Sequence, residues 1–211
     1  MVVVAGGTST RFGADKLMVE IAGRRLIDHT IDAVIGHVDV CVVACRAELV
    51  ETIKRTRPDV TVTAGGATRT LSEMAGLAAI GGEADLIGIH DAARPLVSAS
   101  TIDQLFRVAG TSGGAVPLVT PERLILDRKT HRPVAGLRAA QTPQIFRGPE
   151  LMAAYVRAAQ DGFDGHDTVE VVERFGDVTV VGVEGDPANL KVTYPSDLEE
   201  IRARLAGSSR T

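Results

Sequence analysis

A surplus of positive charge is missing from this chain. Its 23 Lys and Arg stand against 27 Asp and Glu, a formal net charge of −4, which argues against a protein that coats nucleic acid with a basic face. Any polyanion it binds must be met by a local cluster of cations. Cysteine is scarce as well. Cys41 and Cys45 lie four apart in VDVCVVAC, where the two-residue period of a strand puts both on one face, badly placed to bridge each other. They read as buried thiols of a reducing compartment rather than a metal or redox pair. No apolar run approaches the roughly 18 residues of a membrane span, and the opening MVVVAGG lacks a charged leader and a long apolar stretch. The expectation is a cytoplasmic enzyme that binds neither nucleic acid nor membrane. Lysine is the last shortage. Only Lys16, Lys54, Lys129 and Lys191 occur, and where arginine fills most basic positions, a lysine marks a need for compact charge.

What is present suffices for one core. With 211 residues and 45% hydrophobic content, the chain reads as a single domain over 1–211. Apolar, β-branched runs at 2–5, 38–44, 60–63, 86–89, 114–119 and 178–183 suit strands covered on both faces. Between them, 26–34, 48–56, 70–80, 100–109 and 149–160 carry a helical period. Pro149 suits a first helical turn, and Ser100 and Ser196 are candidate caps. The alternation predicts an α/β chain: a three-layer αβα Rossmann-like fold with a mostly parallel sheet and ligands beyond the carboxyl ends of its strands. Residues 120–140 break the pattern with short apolar runs around the polar turn DRKTHRP. They read as a protruding β-hairpin arm, which needs something to pack against. A second subunit is the natural candidate, giving a homodimer; the alternative is a hairpin folded over its own domain.

Four segments place chemistry at strand ends. In AGGTSTRFGADK, Ala5, Gly6 and Gly7 close a strand and offer backbone amides to phosphate oxygens, while Arg11 and Lys16 supply charge. The segment is neither a P-loop nor a GxGxxG turn, and its glycines alone suit a structural turn equally well. In LIGIHDAARP, Asp91 follows a strand where a carboxylate reaches a ribose hydroxyl or a divalent metal, or simply caps the next turn, with Arg94 beside it. His90 reads as packed or hydrogen-bonded. Thr142 in AQTPQ and Lys191 in NLKVTYPSDL bring polar groups to the same rim. A fifth segment, GGATRTLS, holds Gly65, Gly66, Arg69 and Ser72 at a strand-to-helix junction able to read a base or ribose. No cluster resembles a metal cage, so the cation expected is Mg²⁺, held jointly by Asp91 and nucleotide phosphates.

Taken together, GGATRTLS, HDAARP, AQTPQ and NLKVTYPSDL resemble the 2-C-methyl-D-erythritol 4-phosphate cytidylyltransferase family across the whole chain. The resemblance implies a nucleotidyltransferase fold and transfer of CMP from CTP to a polyol phosphate, with loss of pyrophosphate. It implies that Arg11, Lys16 and Lys191 are catalytic, and that Ala5, Gly6, Gly7, Gly65, Gly66, Arg69, Ser72 and Asp91 bind the nucleotide. Asp91 also holds the metal. Arg94 and Thr142 would bind the acceptor, as would Thr120 and Arg132 from an arm that reaches the neighbouring site of a homodimer. The family's arm arginine corresponds to Val134 here, and Arg132, two residues away, keeps the same face of a strand. The opening segment is closer to the GGxSxRxGxDK pattern of molybdenum-cofactor nucleotidyltransferases. That family, and a ribitol-5-phosphate cytidylyltransferase, are the alternatives.

Overall fold

The computed structural model describes residues 1–7, 12–81, 84–121, 125–132 and 134–208. Its centre is β1, Val2–Ala5. Val3 and Ala5 bury their side chains in one apolar core and Val2 in another. A strand covered on both faces needs no polar alternation, which is why VVVA reads as an unbroken run. Hydrogen-bonded to β1 are β4 (Val42–Cys45) on one side and β6 (Leu86–Asp91) on the other, both parallel to it. The sheet continues from β4 to β5 (Thr61–Ala64), and from β6 through β9 (Gln144–Arg147) and β7 (Gly113–Val119) to β10 (Thr179–Glu184). β9 runs antiparallel to both of its neighbours; β10 and β7 are parallel. Glu20–Ile21 and Arg24–Arg25 form a separate small ribbon, β2 and β3.

Helices cover both faces. Side chains of α1 (Leu26–Ile35), α2 (Val50–Thr56), α4 (Ala99–Ser112) and α7 (Asp197–Ser208) enter the core that holds Val3. Those of α3 (Arg69–Ile80), α5 (Gly148–Gln160) and α6 (Thr168–Phe175) enter the core that holds Val2. This is the three-layer, mostly parallel arrangement expected. The chain passes from β1 to β4 and β5 on one side and returns to β6 on the other. Order therefore reverses at β1, and the crevice beyond its carboxyl end is where such sheets bind ligands.

Several elements differ from the sequence reading. The run at 38–44 becomes a strand only at Val42, with Val40 exposed before it. α4 starts at Ala99 and is capped by Ser98, whose hydroxyl accepts the Thr101 amide; Ser100 lies inside the first turn. β2, β3, β9 and α6 are additions. The arm does form a hairpin. Its base pairs β7 with β8 (Ala139–Ala140), and farther out the Val134 amide donates to Ile125 O at 2.9 Å. At the tip, the Asp127 amide donates to Arg132 O, and the Asp127 carboxylate accepts the amides of Lys129 and Thr130.

Candidate active site

A cleft of about 380 Å³ opens at the reversal point, lined by Ala5, Gly6, Gly7, Lys16, Thr68, Arg69, Ser72, Asp91, Lys191 and Thr193 among others. Local geometry explains why each wall has its residue. Ser72, buried on the first turn of α3, sits so close to two backbone segments that a Cβ on Gly6 would lie 2.5 Å from its Oγ, and one on Gly65 2.8 Å away. A side chain at either position would push this hydroxyl out of its place between the two turns. The Ser72 hydroxyl is within bonding reach of the carbonyls of Thr68 (2.8 Å) and Gly66 (3.2 Å). Thr68 caps α3 by accepting the Leu71 amide, which fixes Arg69 as the first helical residue, facing the cleft.

Two segments far apart in sequence supply the cations. Asp15 caps the short 3₁₀ turn Lys16–Met18 by accepting the Leu17 amide, and Arg46 pairs with the same carboxylate. Lys16 is thereby directed across the cleft, where its Nζ donates to Val192 O at 2.7 Å. The adjacent Lys191 points its Nζ at Asp91 Oδ2, also 2.7 Å away. The Lys191 segment is held by a buried amide latch. Asn189 donates to Thr142 O at 2.8 Å, Gln141 Nε2 donates to Asp186 O at 2.8 Å, and Arg94 Nη1 donates to Asn189 O at 2.8 Å.

Asp91 is the hub. Burial alone would raise its carboxyl pKa, but Lys191, Arg69 and Arg94 outweigh burial and hold it well below the usual range. Arg69 Nη1 donates to Oδ1 at 2.7 Å, and Arg94 Nε lies 3.4 Å from Oδ2. Its amide donates to Thr142 Oγ1 at 2.9 Å. His90 next to it is fully buried, and burial lowers its pKa to about 4. Its Nε2 lies 3.0 Å from Arg94 O, an acceptor only, so Nε2 carries the hydrogen and Nδ1 accepts from the Thr142 hydroxyl at 3.1 Å. His90 is thus a neutral brace of the site.

Of the sequence-derived site residues, the structure gathers Ala5, Gly6, Gly7, Lys16, Arg69, Ser72, Asp91 and Lys191 around one cavity, with Gly65 and Gly66 packed behind Ser72 and Leu71. Arg94 and Thr142 stand behind Asp91. The Thr142 hydroxyl is buried and committed to Asp91 and His90. Thr120 and Arg132 are exposed on the arm and do not line this cleft. Arg11 lies outside the described residues. Sequence reasoning missed Arg46, Gln141, Asn189 and Glu73. Arg46, Gln141 and Asn189 have partners remote in sequence, so no local pattern announces them, whereas Glu73 stands four residues after Arg69, a spacing that shares one helix face. Among the described residues no three His, Cys, Asp or Glu side chains form a metal site. Among the described residues Asp91 is the one carboxylate lining the cleft, so it is the side chain that would hold a cation there, which suits Mg²⁺, an ion that keeps most of its waters.

Among the described residues, a glycine turn, two lysines and a buried carboxylate lie together at the reversal point of an α/β sheet, an arrangement suited to the class of nucleotide-using transferases. The model of the family IspD, 2-C-methyl-D-erythritol 4-phosphate cytidylyltransferase, matches residues 1–206. The chain belongs to that family. It is 34% identical over 226 residues to the enzyme of that name from Synechococcus sp., covering 100% of this chain and 98% of the relative. It is 37% identical over 227 residues to a bifunctional enzyme IspD/IspF from Rhizorhabdus wittichii, covering all of this chain but 57% of that protein. The chain thus spans little more than half the length of its bifunctional relatives. The crystal structure of 2-C-methyl-D-erythritol 4-phosphate cytidylyltransferase from Thermus thermophilus superposes with a TM-score of 0.80 at 26% identity, covering 98% of each chain. A 4-diphosphocytidyl-2C-methyl-D-erythritol synthase from Anaerococcus prevotii shares the fold, with a TM-score of 0.84 at 23% identity, over 97% of this chain and 94% of that one.

Proposed function

We propose that this chain, as one domain, transfers CMP from CTP to 2-C-methyl-D-erythritol 4-phosphate, releasing pyrophosphate and forming 4-diphosphocytidyl-2-C-methyl-D-erythritol. Family membership supports the reaction, and one observation carries it to these residues: Lys16 and Lys191 meet across the glycine turn, with Lys16 Nζ bonded to Val192 O beside Lys191. The acceptor is a phosphomonoester, largely dianionic at neutral pH because its second pKa is about 6, so its attacking oxygen needs no protein base. What opposes reaction is anion approaching anion. At about 4 Å two unit charges interact by about 4 kcal/mol even at an effective dielectric of 20, so cations govern the rate. Lys16 and Lys191, with Arg11, neutralise the α-phosphate during in-line displacement. Asp91, Arg69, Ser72 and the glycine amides orient the nucleotide. Asp91 would hold Mg²⁺, whose charge would help neutralise the triphosphate.

We further propose a homodimer in which the arm, residues 120–140, carries Thr120 and Arg132 to the partner's cleft. The exposed apolar side chains of Ile125, Leu126, Val134 and Leu137 support it. The free, buried thiols of Cys41 and Cys45 favour a cytoplasmic setting. The test is pyrophosphate release from each of the four nucleoside triphosphates, offered with 2-C-methyl-D-erythritol 4-phosphate, ribitol 5-phosphate or molybdopterin. Release confined to CTP with the first acceptor is the expected outcome. Faster release with ribitol 5-phosphate, or from GTP with the pterin, replaces the proposal with the corresponding alternative.

A further inference from the structure

We infer that Glu73 is a positioning residue of the nucleotide site: from beneath the cleft it anchors the guanidinium of Arg69 and, through Arg69, sets the orientation of Asp91. Glu73 lies one turn after Arg69 on α3, with its side chain 1% exposed. Its Oε1 sits 2.8 Å from Arg69 Nε and accepts from Thr168 Oγ1 at 2.9 Å, while Oε2 accepts from the Tyr155 hydroxyl. Arg69 then donates from Nη1 to Asp91 Oδ1 at 2.7 Å. One line of polar contacts therefore runs from α5 and α6 through Glu73 and Arg69 to the cleft.

The chemistry argues against a purely structural carboxylate. Burial pushes the Glu73 pKa up from its ordinary value, the mark of a group held where its charge is unwelcome, and Arg69, Tyr155 and Thr168 counter only part of this. An apolar side chain would fill a helix-to-helix layer at lower cost, but it could not hold Arg69. The Arg69 Nε hydrogen meets no acceptor in hydrogen-bond alignment, so Glu73 restrains it by charge at contact distance. Burial also disfavours the Arg69 charge, yet Asp91 and Glu73 together keep it firmly protonated. With Glu73 taking one end of the guanidinium, the other stays on Oδ1 and leaves Oδ2 to Lys191 and Arg94.

The inference rests on the nucleotide reading above and deepens it. Glu73→Gln is the selective test. Hydroxyls both donate and accept, so Tyr155 and Thr168 can re-pair with an amide, whereas a guanidinium only donates and loses its counter-charge. Because Arg69 does not touch the reacting phosphorus, the loss falls on binding: KM and the calorimetric Kd for CTP should rise about tenfold, between the effects of losing an exposed and a fully buried ion pair, with kcat changing less than about threefold. In an Arg69→Gln background the same substitution should change Kd by less than about twofold, since its partner is gone. Tyr155→Phe, which loosens the far oxygen only, should raise Kd about threefold with Arg69 present and leave it unchanged in the Arg69→Gln background. Unchanged Kd in Glu73→Gln, or equal effects with and without Arg69, would overturn the inference while the nucleotide reading stands. A wild-type protein that does not bind CTP would overturn both.

Discussion

At the scale of single residues, the proposed reaction separates groups that carry charge to the substrate from groups that hold them in place. On that reading Lys16 and Lys191 belong to the first kind, each lining the cleft from a different segment. Replacing either by alanine should lower turnover by about 10² or more with the fold intact, the scale of one lost donor to a developing oxyanion. Steady-state rates together with a cooperative unfolding transition check this, and near-normal turnover in either variant removes that residue from the mechanism. His90 belongs to the second kind. Between pH 6.5 and about 4 the unfolded chain takes up a proton that buried His90 refuses, so this group makes stability fall as pH falls, by about 3 kcal/mol over the whole window. Asp91, held below its ordinary value, extends the loss to lower pH. Glu73, held above its ordinary value, slopes the other way from pH 4.5 upward. The difference between wild type and His90→Gln isolates the histidine, since glutamine can still donate to Arg94 O and accept from Thr142. That difference should shrink steadily from pH 7 to pH 4 in denaturant titrations. A difference independent of pH would mean that His90 titrates alike in the folded and unfolded chains.

At the scale of elements, α3 packs tightly against β1, and the two together frame the cleft. A Cβ on Gly76 would lie 2.2 Å from Val2 Cγ1, the end of a stiff, fully buried side chain. Helix propensity favours alanine there by about 1 kcal/mol, but overpacking of about 1–3 kcal/mol opposes it, and at 2.2 Å the larger figure applies. Gly76→Ala should therefore lower stability, and adding Val2→Ala should recover part of the loss because the removed methyls leave room for the new one. Thermal unfolding of the two single variants and the double variant measures the coupling. Strict additivity would show that the helix shifts rather than collides. The same join shows what the sequence made legible. Unbroken apolar runs located β1, β6 and β7 to within two residues, because burial on both faces leaves a continuous signal. Helical period located α1, α3 and α5. β9 was hidden because QIFR is only four residues long and its antiparallel pairing with β6 and β7 is set by those remote strands. α6 was hidden because VEVV alternates like a strand. Its helical state follows from tertiary contacts, with Val171 and Val172 buried beside Leu151 and Tyr155.

At the scale of the whole molecule, the sequence revealed where cations gather but not how they are held. Gly6, Gly7 and Asp91 were readable because each lies at the carboxyl end of a strand, and Lys16 and Lys191 because lysine is scarce in the chain. The buried amides of Gln141 and Asn189, which tie the Lys191 segment to the Thr142 turn, were not, because their partners lie 45 to 48 residues away. The arm was readable from its broken period, and its destination is a question about two chains. If Thr120 and Arg132 serve the partner's cleft, a protein carrying Lys191→Ala and one carrying Thr120→Ala with Arg132→Ala should each be nearly inactive alone. Mixed and allowed to exchange subunits, half of the dimers would be hybrids, each with one intact cleft facing one intact arm, so activity should return to about one quarter of wild type. If each arm folds over its own cleft, no hybrid contains a complete site and mixing restores nothing. A monomer in sedimentation at assay concentration would fail the dimer outright. Recovery that grows with total protein concentration would identify exchange, and not residual activity of either variant, as its source.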